Sequence, residues 1–319
     1  MELIRGLYNL RARHVGCVAT IGNFDGVHLG HQAVLGQLAE KSAELGLPSV
    51  VITFEPQPQE FFARGPVPPR LTRLREKIQA LRRYSVNRVV CLRFNQALAA
   101  MRAEDFIDKL LVKGLGVRYL VVGDDFRFGQ GRRGDFAMLQ AAGGRHGFQV
   151  VNMHTFSIDN MRVSSTRIRE ALASGDLATA EKLLGRPYRM SGRVAHGDKF
   201  GRKLGFPTAN IHLHRKATPV QGIFAVEVFG LSQEPIAGAA NVGTRPTVDG
   251  TRCLLEVHLL DFDQDIYGRY VQVEFLHKLR DEVRFASLDE LKDAIAKDCE
   301  QAREFFIKGR YKMQDTRYK

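Results

Sequence analysis

Two histidines three residues apart, His28 and His31, stand in Gly22–Asn23–Phe24–Asp25–Gly26–Val27–His28–Leu29–Gly30–His31. The segment follows an apolar run and opens one with helical spacing. Gly22 and Gly26 permit a tight turn, and Gly30 lets a phosphate approach the helix start. Free N–H groups and the helix dipole favour an anion there. Two imidazoles beside a phosphate can donate hydrogen bonds to charge developing at phosphorus. A lone histidine would read as a satisfied core residue, whereas a Gly-flanked pair after a strand reads as chemistry. Further on, Ser164, Ser165, Thr166 and Arg167 gather hydroxyls and a guanidinium at another helix start. That set suits β- and γ-phosphates, although alone it is an ordinary capped helix.

Two loops carry aromatic and Pro side chains suited to sandwiching a flat ring: Thr53–Phe54–Glu55–Pro56–Gln57–Pro58–Gln59–Glu60–Phe61–Phe62 and Gly123–Asp124–Asp125–Phe126–Arg127–Phe128–Gly129. Phe61 and Phe126 read as core. In the second half, glycines at 197, 201 and 205 alternate with Lys199, Arg202 and Lys203. This reads as a basic loop over phosphates, without the spacing of a P-loop. Thr208 and Asn210 follow, a hydroxyl and an amide oxygen two apart on one face of an extended segment. Such oxygens suit Mg²⁺, a hard cation that shares its shell with phosphates and water.

The elements that must hold these residues divide the chain in two. Strand-like runs at His14–Gly22, Ser49–Phe54, Arg88–Leu92, Arg118–Gly123 and Phe148–Met153 alternate with helical segments at Leu29–Leu45, Arg73–Tyr84, Ala103–Lys113 and Asp135–His146. That alternation predicts a parallel sheet covered on both faces, with ligands at the carboxyl ends of its strands. Short helices follow from Ser164 and over Leu177–Leu184, the latter capped by Asp176 and stopped by Gly185–Arg186–Pro187. Beyond Pro187 the runs Tyr188–Val194, Gly222–Phe229, Pro235–Val242, Leu254–Leu260 and Tyr270–Leu279 predict an antiparallel sheet or small barrel. Ser287–Phe306 predicts a closing amphipathic helix, with Ser287 and Glu290 forming a capping box.

Composition narrows the classes. The 319 residues are 44% hydrophobic and 26% charged, which excludes collagen-like and wholly disordered chains. Lys and Arg outnumber Asp and Glu by 47 to 35, a net charge of +12 that suits anionic partners. Four scattered cysteines, no secretory leader and no membrane-length apolar run predict a cytoplasmic protein without a disulfide framework.

The segment GNFDGVHLGH resembles the HxGH signature of nucleotidyltransferases, and VSSTRIR matches their second signature. TFEPQPQEFF and GDDFRFG together resemble the bacterial bifunctional riboflavin kinase/FAD synthetase family, and GRKLGFPTAN resembles the flavokinase signature. The resemblance covers nearly the whole chain, Arg64–Pro69 and the final dozen residues apart. It implies a Rossmann-like α/β nucleotidyltransferase domain over 1–184 and a flavokinase β-barrel domain with a terminal helix over 185–319. It further implies phosphorylation of riboflavin to FMN with ADP as by-product, then adenylylation of FMN to FAD and pyrophosphate, each from ATP with Mg²⁺. Neither nucleic acid nor membrane is an expected partner.

By residue, the resemblance implies Glu256, His28 and His31 as catalytic groups, Glu256 being the general base of the kinase. Flavin contacts would be Phe54, Pro56, Pro58, Phe62 and Phe128. Nucleotide contacts would be Gly22, Asp25, Gly30, Ser164, Ser165, Thr166 and Arg167, with Asp125 where relatives often carry Asn. In the second half they would be Gly197, Lys203 and Gly205, and Thr208 and Asn210 would hold the metal. The loops 241–247, 262–268 and 280–285 also look like family loops, without individual roles. A non-catalytic flavin- or RNA-binding regulator on the same fold would show degraded HxGH, SSTRIR or PTAN motifs, and all three are intact.

Overall fold

Strands buried on both faces need apolar residues at nearly every position, and the central strands of the first half have them. In the computed structural model, which describes residues 1–153, 156–159, 161–197, 201, 204–215, 217–247 and 250–315, the first-half strands are β1 (Glu2–Arg5), β2 (Cys17–Ile21), β3 (Ser49–Glu55), β4 (Arg88–Arg93), β5 (Val117–Gly123) and β6 (Gln149–Met153). All pair in parallel, in the order β1-β4-β3-β2-β5-β6. Alternate side chains go to opposite faces. Ala19, Ile52, Phe54, Val90 and Val122 join one core with Phe106, Leu110 and Leu139. Val18, Val51, Val89 and Val121 join the other with Leu35, Leu38 and Leu81.

Helices α1 (Leu29–Leu45) and α2 (Pro58–Phe62) come next, then α3 (Leu74–Leu81), α4 (Gln96–Ala99), α5 (Ala103–Phe106), α6 (Phe136–His146), α7 (Ser165–Ser174) and α8 (Leu177–Leu184). The helix predicted over Ala103–Lys113 begins as α5 and continues as a π-helical stretch, Ile107–Gly114. The strand predicted from His14 starts at Cys17, because Ala12–His14 forms a 3-10 turn and Gly16 has φ +87°. Since β3 and β5 flank β2 on opposite sides, the strand order reverses at β2 and its carboxyl end faces the crevice where such sheets bind ligands.

A barrel wall needs apolar residues facing its interior, and the second-half strands supply them. After a short antiparallel pair, β7 (Ser157–Ile158) with β8 (Met161–Arg162), the strands β9 (Tyr188–Ala195), β10 (Ala209–His212), β11 (Gly222–Phe229), β12 (Ile236–Thr247), β13 (Gly250–Leu259) and β14 (Tyr270–Arg280) close in the order β10-β13-β12-β11-β14-β9. Every pairing is antiparallel. Met190, Phe224, Val242, Leu255, Val257 and Phe275 are buried in the wall. The closing helix α9 (Leu288–Asp315) packs Cys299 and Ala302 against Ala225, Ala239 and Leu260. Its Ser287 cap accepts from Glu290 N at 3.2 Å, and Glu290 Oε2 accepts from Ala286 N at 3.0 Å.

Two compact units result: Met1–Pro68 with Thr72–Ser165, and Pro69–Leu71 with Thr166–Lys319. All four cysteines are buried free thiols. Among the described residues, no helix is long and apolar enough to cross a membrane.

Candidate active sites

In the first unit the β2–α1 turn is bent sharply. Phe24, Gly26 and Val27 have φ of 49°, 85° and 45°, the left-handed region that non-Gly residues rarely adopt. Three anchors hold it. Thr53 Oγ1 donates to Asn23 O at 3.4 Å, and Ser165 Oγ donates to Asp25 O at 3.0 Å. Thr72 donates from N and Oγ1 to Asp25 Oδ1 at 2.9 and 3.2 Å, while Gly26 N donates to Thr72 Oγ1 at 2.9 Å. The buried Asp25 carboxylate is thereby turned into the loop's own framework.

The turn delivers His28 to the N-cap of α1, where Nδ1 accepts from His31 N at 3.3 Å. The two imidazoles stack with centroids 3.6 Å apart and planes 17° apart. A Cβ at Gly30 would stand 3.3 Å from His28 Nδ1, so the glycine makes room for that ring. At Gly22 a Cβ would crowd the Phe24 ring at 3.1 Å. Burial, with help from His28 and Lys77, holds the His31 imidazole well below its ordinary value. Lys77 is fully buried on α3, its Nζ 3.4 Å from Thr53 Oγ1. The geometry thus gathers Gly22, Asp25, His28, Gly30, His31 and Ser165 around a helix N-terminus rich in hydrogen-bond donors.

Two aromatic groups line the same core face. Phe54, Phe61 and Phe62 pack around Phe94 at 5.4–5.8 Å between centroids, with Phe62 exposed and Phe54 buried. Phe128 is buried, stacked on Phe126 and 5.4 Å from Phe106. Pro56 follows a cis peptide bond, and Pro58 is the first residue of α2. The exposed Asp125 pairs with Arg162 at 3.1 Å. Ser164 is half-buried, whereas Thr166 and Arg167 are exposed and belong to the second unit.

In the second unit, strand register builds the site. Asn210 on β10 lies directly opposite Glu256 on β13. His258 Nδ1 is 2.9 Å from the carbonyl oxygen of Pro207, which fixes the proton on Nδ1 and ties the PTAN segment to β13. Gly197 abuts the Asn210 carboxamide, and a Cβ at Gly201 would stand 3.2 Å from Thr208 Oγ1. Gly205 takes φ +88°, a conformation only glycine adopts without strain. Lys203, with Asp198–Phe200 and Arg202, lies outside the described residues.

The sequence matches the family model described as FAD synthetase over residues 10–167 and that described as riboflavin kinase over residues 184–306. The bifunctional riboflavin kinase/FMN adenylyltransferase of Escherichia coli (strain K12) is 56% identical over 96% of this chain and 98% of its own. The chain belongs to the bifunctional riboflavin kinase/FMN adenylyltransferase family. The member from Haemophilus influenzae is 54% identical over 96% of this chain and 99% of its own. A solved structure from Streptococcus pneumoniae, described as a macrolide-efflux protein, superposes with a TM-score of 0.81 at 30% identity. It covers 95% of this chain and 99% of that one.

Within the family's first domain, sequence reasoning missed Thr72, Lys77 and Phe94. Thr72 reaches Asp25 from 47 positions away and Lys77 reaches Thr53 from 24 away, so no local spacing reveals them. Phe94 stands just beyond the end of β4, where an aromatic on a strand-end loop was a usable signal. In the kinase domain the missed residue is Asn241, directly opposite Glu256 on β12. Its motif was visible, its partner was not.

Proposed function

We propose that each unit carries one step of flavin cofactor synthesis. The barrel transfers the γ-phosphoryl group of ATP to the terminal ribityl hydroxyl of riboflavin, giving FMN and ADP. The α/β unit transfers the adenylyl group of a second ATP to the FMN phosphate, giving FAD and pyrophosphate. The observation that carries this reading is the register pairing of Asn210 with Glu256 inside a flavokinase signature. The functional boundary is placed at 184/185, at the start of the riboflavin kinase match, whereas the compact units divide at 165/166, and the four free thiols suit a cytoplasmic setting.

In the kinase site the hydroxyl oxygen attacks the γ-phosphorus as its bond to the β–γ bridging oxygen breaks. Glu256 accepts the hydroxyl proton, the role of a positioned general base. Thr208 and Asn210 offer neutral oxygens beside two glycines that bring no side chain, a donor set that fits a hard cation. They would hold Mg²⁺, which when bound offsets phosphate charge. Gly197, Lys203 and Gly205 form the loop that meets the phosphates.

In the adenylyl site an oxygen of the FMN phosphate attacks the α-phosphorus and pyrophosphate leaves. No protein nucleophile is needed. His28, His31 and the first-turn N–H groups of α1 donate to charge along the in-line path. Gly22 and Gly30 let the nucleotide approach, Asp25 fixes the turn, and Asp125, Ser164, Ser165, Thr166 and Arg167 bind the nucleotide. Phe54, Pro56, Pro58, Phe62 and Phe128 hold the isoalloxazine. Chromatography of a reaction with riboflavin, ATP and Mg²⁺ tests the whole reading. FMN should appear first and FAD after it, and folded protein that binds flavin yet forms neither product would overturn it.

A further inference from the structure

On the outer face of the barrel, one row crosses three adjacent strands. Glu256 on β13 faces Asn210 of β10 on one side and Asn241 of β12 on the other. Directly paired residues of antiparallel strands point to the same side, with Cβ atoms roughly 5 Å apart. The flanking residues Ala240, Val242, Leu255 and Val257 are fully buried, so the row stands on the opposite side of the wall from them.

Asn241 is the anomaly of this row. Its Oδ1 is buried and accepts no hydrogen bond from any described residue. Buried acceptors are nearly always paired, so an unpaired one beside the proposed base is open to a donor from a ligand or water. Glu256, as the proposed proton acceptor, does not supply that donor. Two residues along β12, Gly243 lies beneath the Glu282 carboxylate, which a Cβ would meet at 2.7–2.9 Å. Two residues the other way, Ala239 passes into the apolar contact with α9. Asn241 is therefore a polar acceptor between a roof of carboxylate and a floor of alanine. The buried oxygen of Asn241 therefore calls for a donor next to the group that Glu256 would meet as the proposed base.

A polyol chain offers such donors on adjacent carbons. Resting on the assignment of Glu256 as the kinase base, we infer that Asn241 is a substrate-orienting residue: its carboxamide oxygen accepts from the 4′-hydroxyl of the ribityl chain while Glu256 takes the 5′-hydroxyl. Two neighbouring contacts fix the rotation about the terminal C–C bond and aim the 5′-oxygen at the γ-phosphorus. With one contact, the terminal hydroxyl would sample several staggered rotamers and be in line in only some of them.

The test compares riboflavin with its 4′-deoxy analogue as kinase substrates, in the parent chain and in Asn241→Ala. The parent should prefer riboflavin by about 10- to 100-fold in kcat/KM, the worth of one buried hydrogen bond and its orienting effect. Asn241→Ala should lose most of that on riboflavin and treat the two substrates alike. KM for ATP in the kinase reaction should stay within about twofold of the parent, which a loosened barrel would not allow, and adenylylation of supplied FMN should stay within about twofold as the check on the other unit. A variant that keeps the parental preference overturns the assignment. Asn241→Ser, with the same expected convergence, replaces Asn241→Ala should the latter not fold. Glu256→Gln separates the two readings: an undiminished kinase there removes the base and this inference with it. A dead kinase in Glu256→Gln, beside unchanged discrimination in Asn241→Ala, removes this inference alone.

Discussion

Gly197→Ala probes the kinase site with a single methyl group. A Cβ built on Gly197 would stand 2.5 Å from Cγ and 2.7 Å from Oδ1 of Asn210. Real Cβ contacts keep clear of 3.0 Å, so the carboxamide has to retreat by roughly 1 Å or turn away. Gly197 is not among the glycines with positive φ, so alanine meets no backbone strain there. The damage is thus confined to the position of Asn210. A displacement of about 1 Å in a positioning group is worth about 100-fold in rate. Riboflavin phosphorylation, followed by chromatography of FMN, should fall by about that factor. Adenylylation of supplied FMN, measured on the same preparation, should remain within about twofold. A Gly197→Ala enzyme phosphorylating riboflavin at the parental rate would refute the placement of Asn210 in the site.

Other expectations concern the first unit. His28→Ala removes both the N-cap acceptor and a donor to the phosphates, so adenylylation should drop at least about 100-fold while riboflavin and ATP pile up FMN. FAD formed at the parental rate would refute the assignment. Because the folded state holds His31 below its ordinary value of 6.5, the unfolded chain binds the extra proton first. Its contribution is complete above about pH 6.5 and is lost as pH falls below it, toward the depressed folded value. Hydrogen exchange of the Cys17–Ile21 amides should therefore speed up from pH 7 to pH 5, after correction for intrinsic rates. His31→Gln should flatten that trend. Gly36, exposed within α1 and with nothing within 4 Å of a would-be methyl, should accept alanine with a gain of about 0.5–1 kcal/mol, seen as a higher melting temperature.

Much of the fold was legible because its signals are local. Leu29–Leu45 and Gly222–Phe229 match the observed elements end to end, since glycine or a capping residue punctuates each run. β1 was invisible: four residues with one buried side chain acquire strand character only by pairing with β4, more than 80 positions away. β10 read as merely extended, because PTAN becomes a strand through β9 and β13. The π-helical stretch was likewise unreadable, as its hydrogen bonds span only one residue more than those of an α-helix. The sites divide the same way. Gly26, His28 and His31 announced a bent turn before a helix, and the structure places them so. Gly30 was read as room for a phosphate, and what the structure shows beside it is the His28 ring. That Asp25 would serve Thr72, or that Asn241 would face Glu256, depends on tertiary pairing that no spacing rule contains.

The contrast between the two proposed sites follows from what attacks in each. A ribityl hydroxyl is neutral at physiological pH and must shed a proton as it reaches phosphorus. Its site needs an acceptor, and the row Asn210–Glu256–Asn241 is built of acceptor oxygens on facing strands. The FMN phosphate arrives with its charge already present, the second ionisation of a phosphate monoester lying near pH 6. A carboxylate beside it would repel the nucleophile and give nothing back. At the β2–α1 turn the buried Asp25 carboxylate is occupied with Thr72, while the proposed phosphate site has two imidazoles and a helix N-terminus, with the charge of the buried Lys77 acting on His31. The same distinction orders the failures expected of exchanged charges. A carboxylate introduced at His31 should harm adenylylation more than alanine does, since it adds repulsion to the loss of a donor. At Glu256 glutamine and alanine should be nearly equivalent, since both remove the proton acceptor and neither adds a charge.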